Sequence, residues 1–233
     1  NVQRALYSDI LNLSIAQNEY RQLSGVLSKV CKVYEVTDLL VKVLDKEKAR
    51  ENLLYRICSS EDAMPYLYML MAMPSAELAR VLIEGLPAKI DTLTSYLRNE
   101  YYALYPLYNF YFTRDASVTI GNNALICRMA NRVRMRESII MEAIFKGSGA
   151  FDCGIINAYD FNPGNEQIYM EGGDILIARD DILLIGNGVR TSTHGIDMLV
   201  NRLCKENHKG KKHIIVQQLP SQPESFIHLD MVF

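Results

Sequence analysis

Glu171-Gly172-Gly173-Asp174 leads into the apolar run Ile175 to Ala178, the turn Arg179-Asp180-Asp181, the run Ile182 to Ile185, then Arg190 and a helical stretch. The same order occurs earlier in the chain. Phe112-Thr113-Arg114-Asp115 precedes the run Val118 to Ile120, the turn Gly121-Asn122-Asn123, the run Ala124 to Cys127, then Arg134 and a helical stretch near Arg136 to Phe145. His228-Leu229-Asp230 opens a third group of the same kind. Asp174 lies 59 positions after Asp115, and Asp230 lies 56 after Asp174. A period of this size marks a repeated supersecondary unit. Two strands joined by a turn, a helix and a closing strand make each unit ββαβ. The first unit runs from about Asn109 to Ala158 and the second from Ile168 to about Gln218, with its helix capped near Ser192 and its last strand at His213 to Gln217. A third starts near Phe226. If the units stack around an axis, their leading carboxylates meet at one end.

The first hundred residues read differently. Residues 8–27 predict a helix with Leu11, Leu13, Ile15, Leu23 and Leu27 on one stripe. Val30 to Val36 alternates and is rich in β-branched residues, which predicts a strand. Thr37 or Asp38 can cap a helix through Leu39, Leu40, Val43 and Leu44 towards Tyr55. From there to Leu104 the pattern is almost wholly helical, with new starts at Ser60, at Ser75 after Pro74, and near Pro87. Tyr66 to Met73 is apolar all round, as a buried helix would be. The expected organisation is a partial first unit over 1–37, an inserted helical subdomain over 38–104, and repeat units over 105–233, Pro106 marking the return to strands.

Composition narrows the class. A hydrophobic share of 49%, a charged share of 22% and a net charge of −2 fit a globular protein with no global pull towards nucleic acid or acidic membrane. Lys205, Lys209, Lys211 and Lys212 cluster around His208 and Gly210, but no aromatic residues interleave them, so a solvated loop is expected. No stretch reaches the ~18–20 apolar residues of a membrane span, and no signal peptide is visible. Cys31, Cys58, Cys127, Cys153 and Cys204 are odd in number and show no metal-ligand spacing. Reduced thiols and a cytoplasmic location are the expectation. With Asn1 in first place, the chain reads as part of something longer.

Single motifs are weak. Glu171 and Asp174 around a glycine pair could be a solvated turn, and His228 with Asp230 could be the polar face of a strand, where positions two apart point the same way. Recurrence at equivalent places in successive units favours a shared pocket. Only one of the four histidines is well placed, which argues against zinc. Gly147-Ser148-Gly149 and Gly186-Asn187-Gly188 lack the lysine and hydroxyl residue of a phosphate loop. Arg114, Arg134 and Arg190 can hold a carboxylate in a bidentate way, and Asn109 can donate to the same ligand. Arg132 and Arg136 read as surface or helix-end charges. Converging carboxylates, one histidine and nearby arginines describe a pocket for a cation that also has an anionic end. Free arginine fits.

Taken together, N-F-Y-F-T-R-D (109–115), E-G-G-D (171–174), R-T-S (190–192) and H-L-D-M-V-F (228–233) closely resemble arginine deiminase of the guanidine-modifying superfamily. The resemblance covers roughly 109–233, and residues 38–104 look like that family's helical insertion. It implies a five-bladed α/β-propeller, the pentein fold, only partly present here. It also implies hydrolysis of L-arginine to L-citrulline and ammonia through a covalent amidino-cysteine intermediate, with no cofactor and no metal, in a protein that forms homo-oligomers. By the resemblance Asp115 and Asp230 grip the guanidinium, His228 is general acid and base, and Glu171 orients it. Asn109, Arg134 and Arg190 bind the α-carboxylate, and Asp174 supports the site from behind. The family's nucleophilic cysteine sits in a glycine-rich segment that none of the five cysteines matches, so it is expected beyond residue 233. An amidinotransferase, or a non-catalytic arginine-binding homologue, are the alternatives.

Overall fold

The computed structural model describes residues 12–98, 101–161, 168–205 and 212–233. The predicted helix start at Ser8 and Leu11, the loop residues Pro163 and Gly164, and His208, Lys209, Gly210 and Lys211 of the basic cluster lie outside them.

Helix α1 (Leu13–Leu27) begins at Asn12, whose side chain accepts from the Ser14 and Ile15 N–H groups. None of its residues is buried, and Leu13, Ile15, Leu23 and Leu27 of the apolar stripe are all exposed. The strand predicted over Val30 to Val36 does not form. A β-branched run becomes a strand only with a neighbour to pair with, and here Val30 is exposed while Val36 already starts α2 (Val36–Leu44). Tyr34 of this run meets Phe151 edge-on at 5.6 Å.

The single helix predicted from about 38 to Tyr55 is two, α2 and α3 (Glu47–Ser60). Ser60 ends α3 instead of starting a helix, its hydroxyl donating back to the Ile57 carbonyl at 2.9 Å. Helices α4 (Leu67–Ala72) and α5 (Ser75–Glu84) follow. The apolar run at 66–73 is not buried all round: Leu70 is inaccessible, yet Tyr68 is 88% exposed. Pro87 lies in a short strand, not in a helix: β1 (Leu86–Pro87) pairs antiparallel with β2 (Tyr102–Leu104), with α6 (Leu93–Arg98) between them. A two-residue edge strand tolerates a proline that lacks its donor.

After α7, the turn Thr113–Ala116, the repeat appears as read. Strands β3 (Ser117–Ile120) and β4 (Asn123–Ile126) form an antiparallel hairpin, and α8 (Met135–Gly147) carries the chain to β5 (Gly154–Asn157), parallel to β4. The second unit has the same topology: β6 (Ile175–Arg179) antiparallel to β7 (Ile182–Asn187), then α9 (Thr193–Lys205), then β8 (His213–Gln218) parallel to β7. Ser192 caps α9, accepting from the Gly195 N–H at 3.1 Å. A bridge between Arg128 and Met170 ties one unit to the next. The core is continuous, from Leu39, Leu54 and Leu82 of the helices through Leu125 and Ile140 to Ile185 and Leu199. Arg136 stands in the first turn of α8, as a helix-end charge would, yet it is 2% exposed and reaches Glu61 at 2.9 Å.

The C-terminal residues depart from the reading. Phe226 to Phe233 was expected to be a strand. Instead Glu224–Phe226 and Leu229–Met231 are 3-10 turns, and His228 is an extended residue between them.

Candidate active site

Three segments enter the site from equivalent places in the repeat. Asp115 stands just before β3, Glu171 and Asp174 flank the 3-10 turn before β6, and His228 precedes the turn Leu229–Met231. The glycine pair makes this approach possible. A β-carbon on Gly172 would fall 2.0 Å from the Arg114 carbonyl oxygen. One on Gly173 would fall 2.8 Å from the His228 ring and 3.0 Å from an Asp115 carboxylate oxygen. No other residue type lets the three segments meet so closely.

Glu171 is fully buried at the centre. Its Oε2 lies 3.0 Å from His228 Nε2, and its Oε1 accepts from the Ala130 N–H at 3.1 Å. Arg134 Nη1 and Arg190 Nη1 each stand 3.5 Å from one of its oxygens. Burial would raise this carboxyl, but the histidine hydrogen bond and the two arginines outweigh it and hold the group below the usual range. The same contact acts on His228. Burial would push the imidazole down, yet Glu171, Asp115 and Asp174 raise it above 6.5. Asp115 faces the other ring nitrogen, with Oδ1 3.9 Å from Nδ1.

Asp174 touches no open space. Its Oδ2 accepts from the Thr191 hydroxyl at 2.6 Å and its Oδ1 from the Leu229 N–H at 2.9 Å, which fixes the loop that carries His228. Thr191 donates to Asp174 and accepts from the Glu171 N–H at 3.2 Å, so one hydroxyl links both acids. Burial pushes the Asp174 carboxyl up to about 6, against these hydrogen bonds.

The remaining expected residues have protein partners of their own. Asp230 does not share a strand face with His228, because the 3-10 turn swings it outward to a partly exposed position 3.8 Å from Arg114 Nε. Arg114 also donates to the Ile175 carbonyl at 2.6 Å. Arg134 is engaged by protein groups: Nη1 to Asp115 at 2.8 Å, Nε and Nη2 to Glu137, and Nη2 to the Asn109 carbonyl at 3.3 Å. Arg190 instead borders a cavity of about 600 Å³, lined also by Asn131, Gln222, Phe226 and Ile227. Arg114 and Asp230 border a second hollow of about 440 Å³.

Glu137 and Thr191 were missed by the sequence reading. Arg134 and Glu137 are three apart at a helix start, a spacing that signals a pair. Thr191 lies within the quoted R-T-S run but offered no periodicity of its own.

Ligand atoms of Asp115, Glu171 and His228 lie within 4.8 Å of one another, close enough to grip a cation. Arg134 already places a positive charge between the two acids, and the raised imidazole favours a proton over a metal. Such a site suits a flat organic cation that offers several N–H donors.

The arginine deiminase family model matches residues 3–233. The chain belongs to the arginine deiminase family. It is 29% identical over 245 residues to the arginine deiminase of Listeria monocytogenes serovar 1/2a, covering 100% of this chain and 59% of that protein. To the arginine deiminase of Bacillus cytotoxicus it is 30% identical over 246 residues, again covering 100% and 59%. The chain thus spans 59% of the length of these family relatives. Similar solved structures include a dimethylarginine dimethylaminohydrolase (TM-score 0.40, 20% identity, 61% of this chain and 59% of that one). Another is the N-terminal domain of a cyanobacterial arginine dihydrolase (TM-score 0.41, 23% identity, 53% and 40%).

Proposed function

We propose that the intact protein hydrolyses L-arginine to L-citrulline and ammonia. The meeting of Asp115, Glu171 and His228 in one buried site, beside a cavity bordered by Arg190, is the observation that carries this reading. Acceptors on two sides would hold the guanidinium flat and present its carbon for attack. Asp230 joins them by exchanging its contact with Arg114 for the substrate. Arg190 takes the α-carboxylate in the adjoining cavity. Arg134, saturated by Asp115 and Glu137, supports the acids instead.

In the first step a thiolate adds to the guanidinium carbon. The His228 imidazolium, kept protonated by Glu171, gives its proton to the departing nitrogen, and ammonia leaves an amidino-thioether. The now neutral imidazole takes a proton from water, which attacks the same carbon. The C–S bond breaks with its electron pair returning to sulfur as thiolate, the remaining hydroxyl proton passes to the released ammonia or solvent, and citrulline departs. Cys127 is the thiol that feels the site acids, and it is ill suited to the role. Burial pushes it well above its ordinary value, and Glu171, Asp115 and Asp174 push the same way. In keeping with the family resemblance, we assign the nucleophile to residues of the intact protein outside this stretch.

Full-length protein given arginine and a chelator should form citrulline and ammonia in equal amounts. Agmatine, which lacks the α-carboxylate, should be a poor substrate. Arg190→Ala removes a charge-assisted hydrogen bond of about 1.5–3 kcal/mol, so arginine turnover should fall by a factor of tens to hundreds while agmatine barely changes. Equal losses on both substrates would remove Arg190 from the carboxylate subsite. Amidine transfer only when an amine acceptor is added would point to an amidinotransferase.

A further inference from the structure

Glu137 fills the far side of the same guanidinium that faces the site. Arg134 Nε lies 3.1 Å from both Glu137 oxygens and Nη2 lies 2.8 Å from Oε2, so one whole edge of the fork is taken. Nη1 is left for Asp115 at 2.8 Å and Glu171 at 3.5 Å. Glu137 is 1% exposed, and the charges around it are Arg134, Asp115, Glu171 and the buried Arg136.

A count of charge shows what this arrangement does. Asp115 and Glu171 are matched by Arg134 and Arg190. Asp174 is matched by the His228 imidazolium, and Asp230 by Arg114. Without Glu137 a guanidinium would enter a site with no net attraction for it. Glu137 adds negative charge but is itself shielded from the ligand by Arg134.

On the reading of this site as one that processes guanidinium groups, we propose that Glu137 sets its charge preference. It anchors Arg134 by both carboxylate oxygens. By balancing that cation it leaves the Asp115–Glu171 pair able to select a guanidinium over a neutral ureido group. Glu137 is a positioning residue here, since it acts through Arg134.

Arginine and citrulline differ only at that group, and they share the α-carboxylate end. The test uses full-length protein at pH 8, where Glu137, pushed up to about 7 by burial, carries its charge. Glu137→Gln should raise the arginine KM about ten- to thirtyfold and change the citrulline inhibition constant by less than about threefold. Glu137→Asp keeps the charge and should keep the ratio of the two constants within about threefold of wild type. An unchanged ratio in Glu137→Gln, or equal weakening of both ligands, would overturn the proposal. If wild-type protein handles neither ligand, the arginine reading fails on its own. The role of Glu137 is then decided by the ¹⁵N signal of the Arg134 Nε–H. It should be protected from exchange in wild type and lose that protection in Glu137→Ala, which removes both acceptor oxygens. Solvent-rate exchange in wild type, or full protection in the variant, would overturn the assignment.

Discussion

His228 keeps its proton because of where Glu171 sits. The 3.0 Å contact outweighs the cost of burying an imidazolium, so the folded-state value lies above 6.5. The sign of its effect on stability follows. A raised histidine stabilises fully below its unfolded value and loses that contribution as pH climbs through the folded one. Glu171→Gln removes the charge that sustains the shift, so the His228 ring resonances should titrate at lower pH than in wild type. The stability gap between wild type and Glu171→Gln should also shrink as pH rises from about 6 to about 9. An unmoved His228 titration in the variant would show that the contact carries no charge coupling. Asp115 and Asp174 stood out because an acid recurs at an equivalent place in each repeat, whereas Glu171 and His228 were singled out by the family resemblance. The shared strand face read for His228 and Asp230 did not form, because an i, i+2 argument holds only in a strand and the backbone there turns. Glu137 was invisible as a lone acid in a helix, its importance coming from the buried arginine it holds.

At the scale of elements, the two ββαβ units were legible because hairpin turns and apolar runs are local signals. The ladder that joins β7 to β8, and the crossover through α9, follow from the same pattern. The run at 30–36 shows the opposite case: strand propensity without a pairing partner leaves no strand, and the chain turns into α2 at Val36. The contact between α3 and α8 could not be read at all, since nothing in Arg136 distinguishes a surface charge from a buried one. Its Nε stands 2.9 Å from Glu61, it also donates to the Tyr105 carbonyl, and its Nη1 has no hydrogen-bond partner. Burial pulls this guanidinium below its ordinary value. A buried pair of this kind is weak evidence for stability, but breaking it is costly. Glu61→Ala, which removes the ion-pair partner of Arg136, should therefore cost about 2–4 kcal/mol in urea unfolding, whereas Arg136→Met should change stability by no more than about 1 kcal/mol. A larger loss in Arg136→Met than in Glu61→Ala would mean that the ion pair itself holds the helices on the sheet.

Over the whole molecule, the period of nearly sixty residues brings distant acids to one place. Asp115 and His228 are separated by more than a hundred positions in the chain, yet both meet the glycine pair 172–173. Family membership rests on the match across residues 3–233. The reaction assigned to the intact protein rests on the cluster that this repetition builds. Its most direct test is turnover and arginine binding by full-length wild-type and His228→Ala protein, with chelator present. The account predicts that His228→Ala binds arginine within about tenfold of wild type but forms citrulline at least about a thousandfold more slowly, since one group serves as both acid and base. Citrulline formation in His228→Ala within about tenfold of the wild-type rate would contradict it, and so would wild-type protein that binds arginine and never converts it.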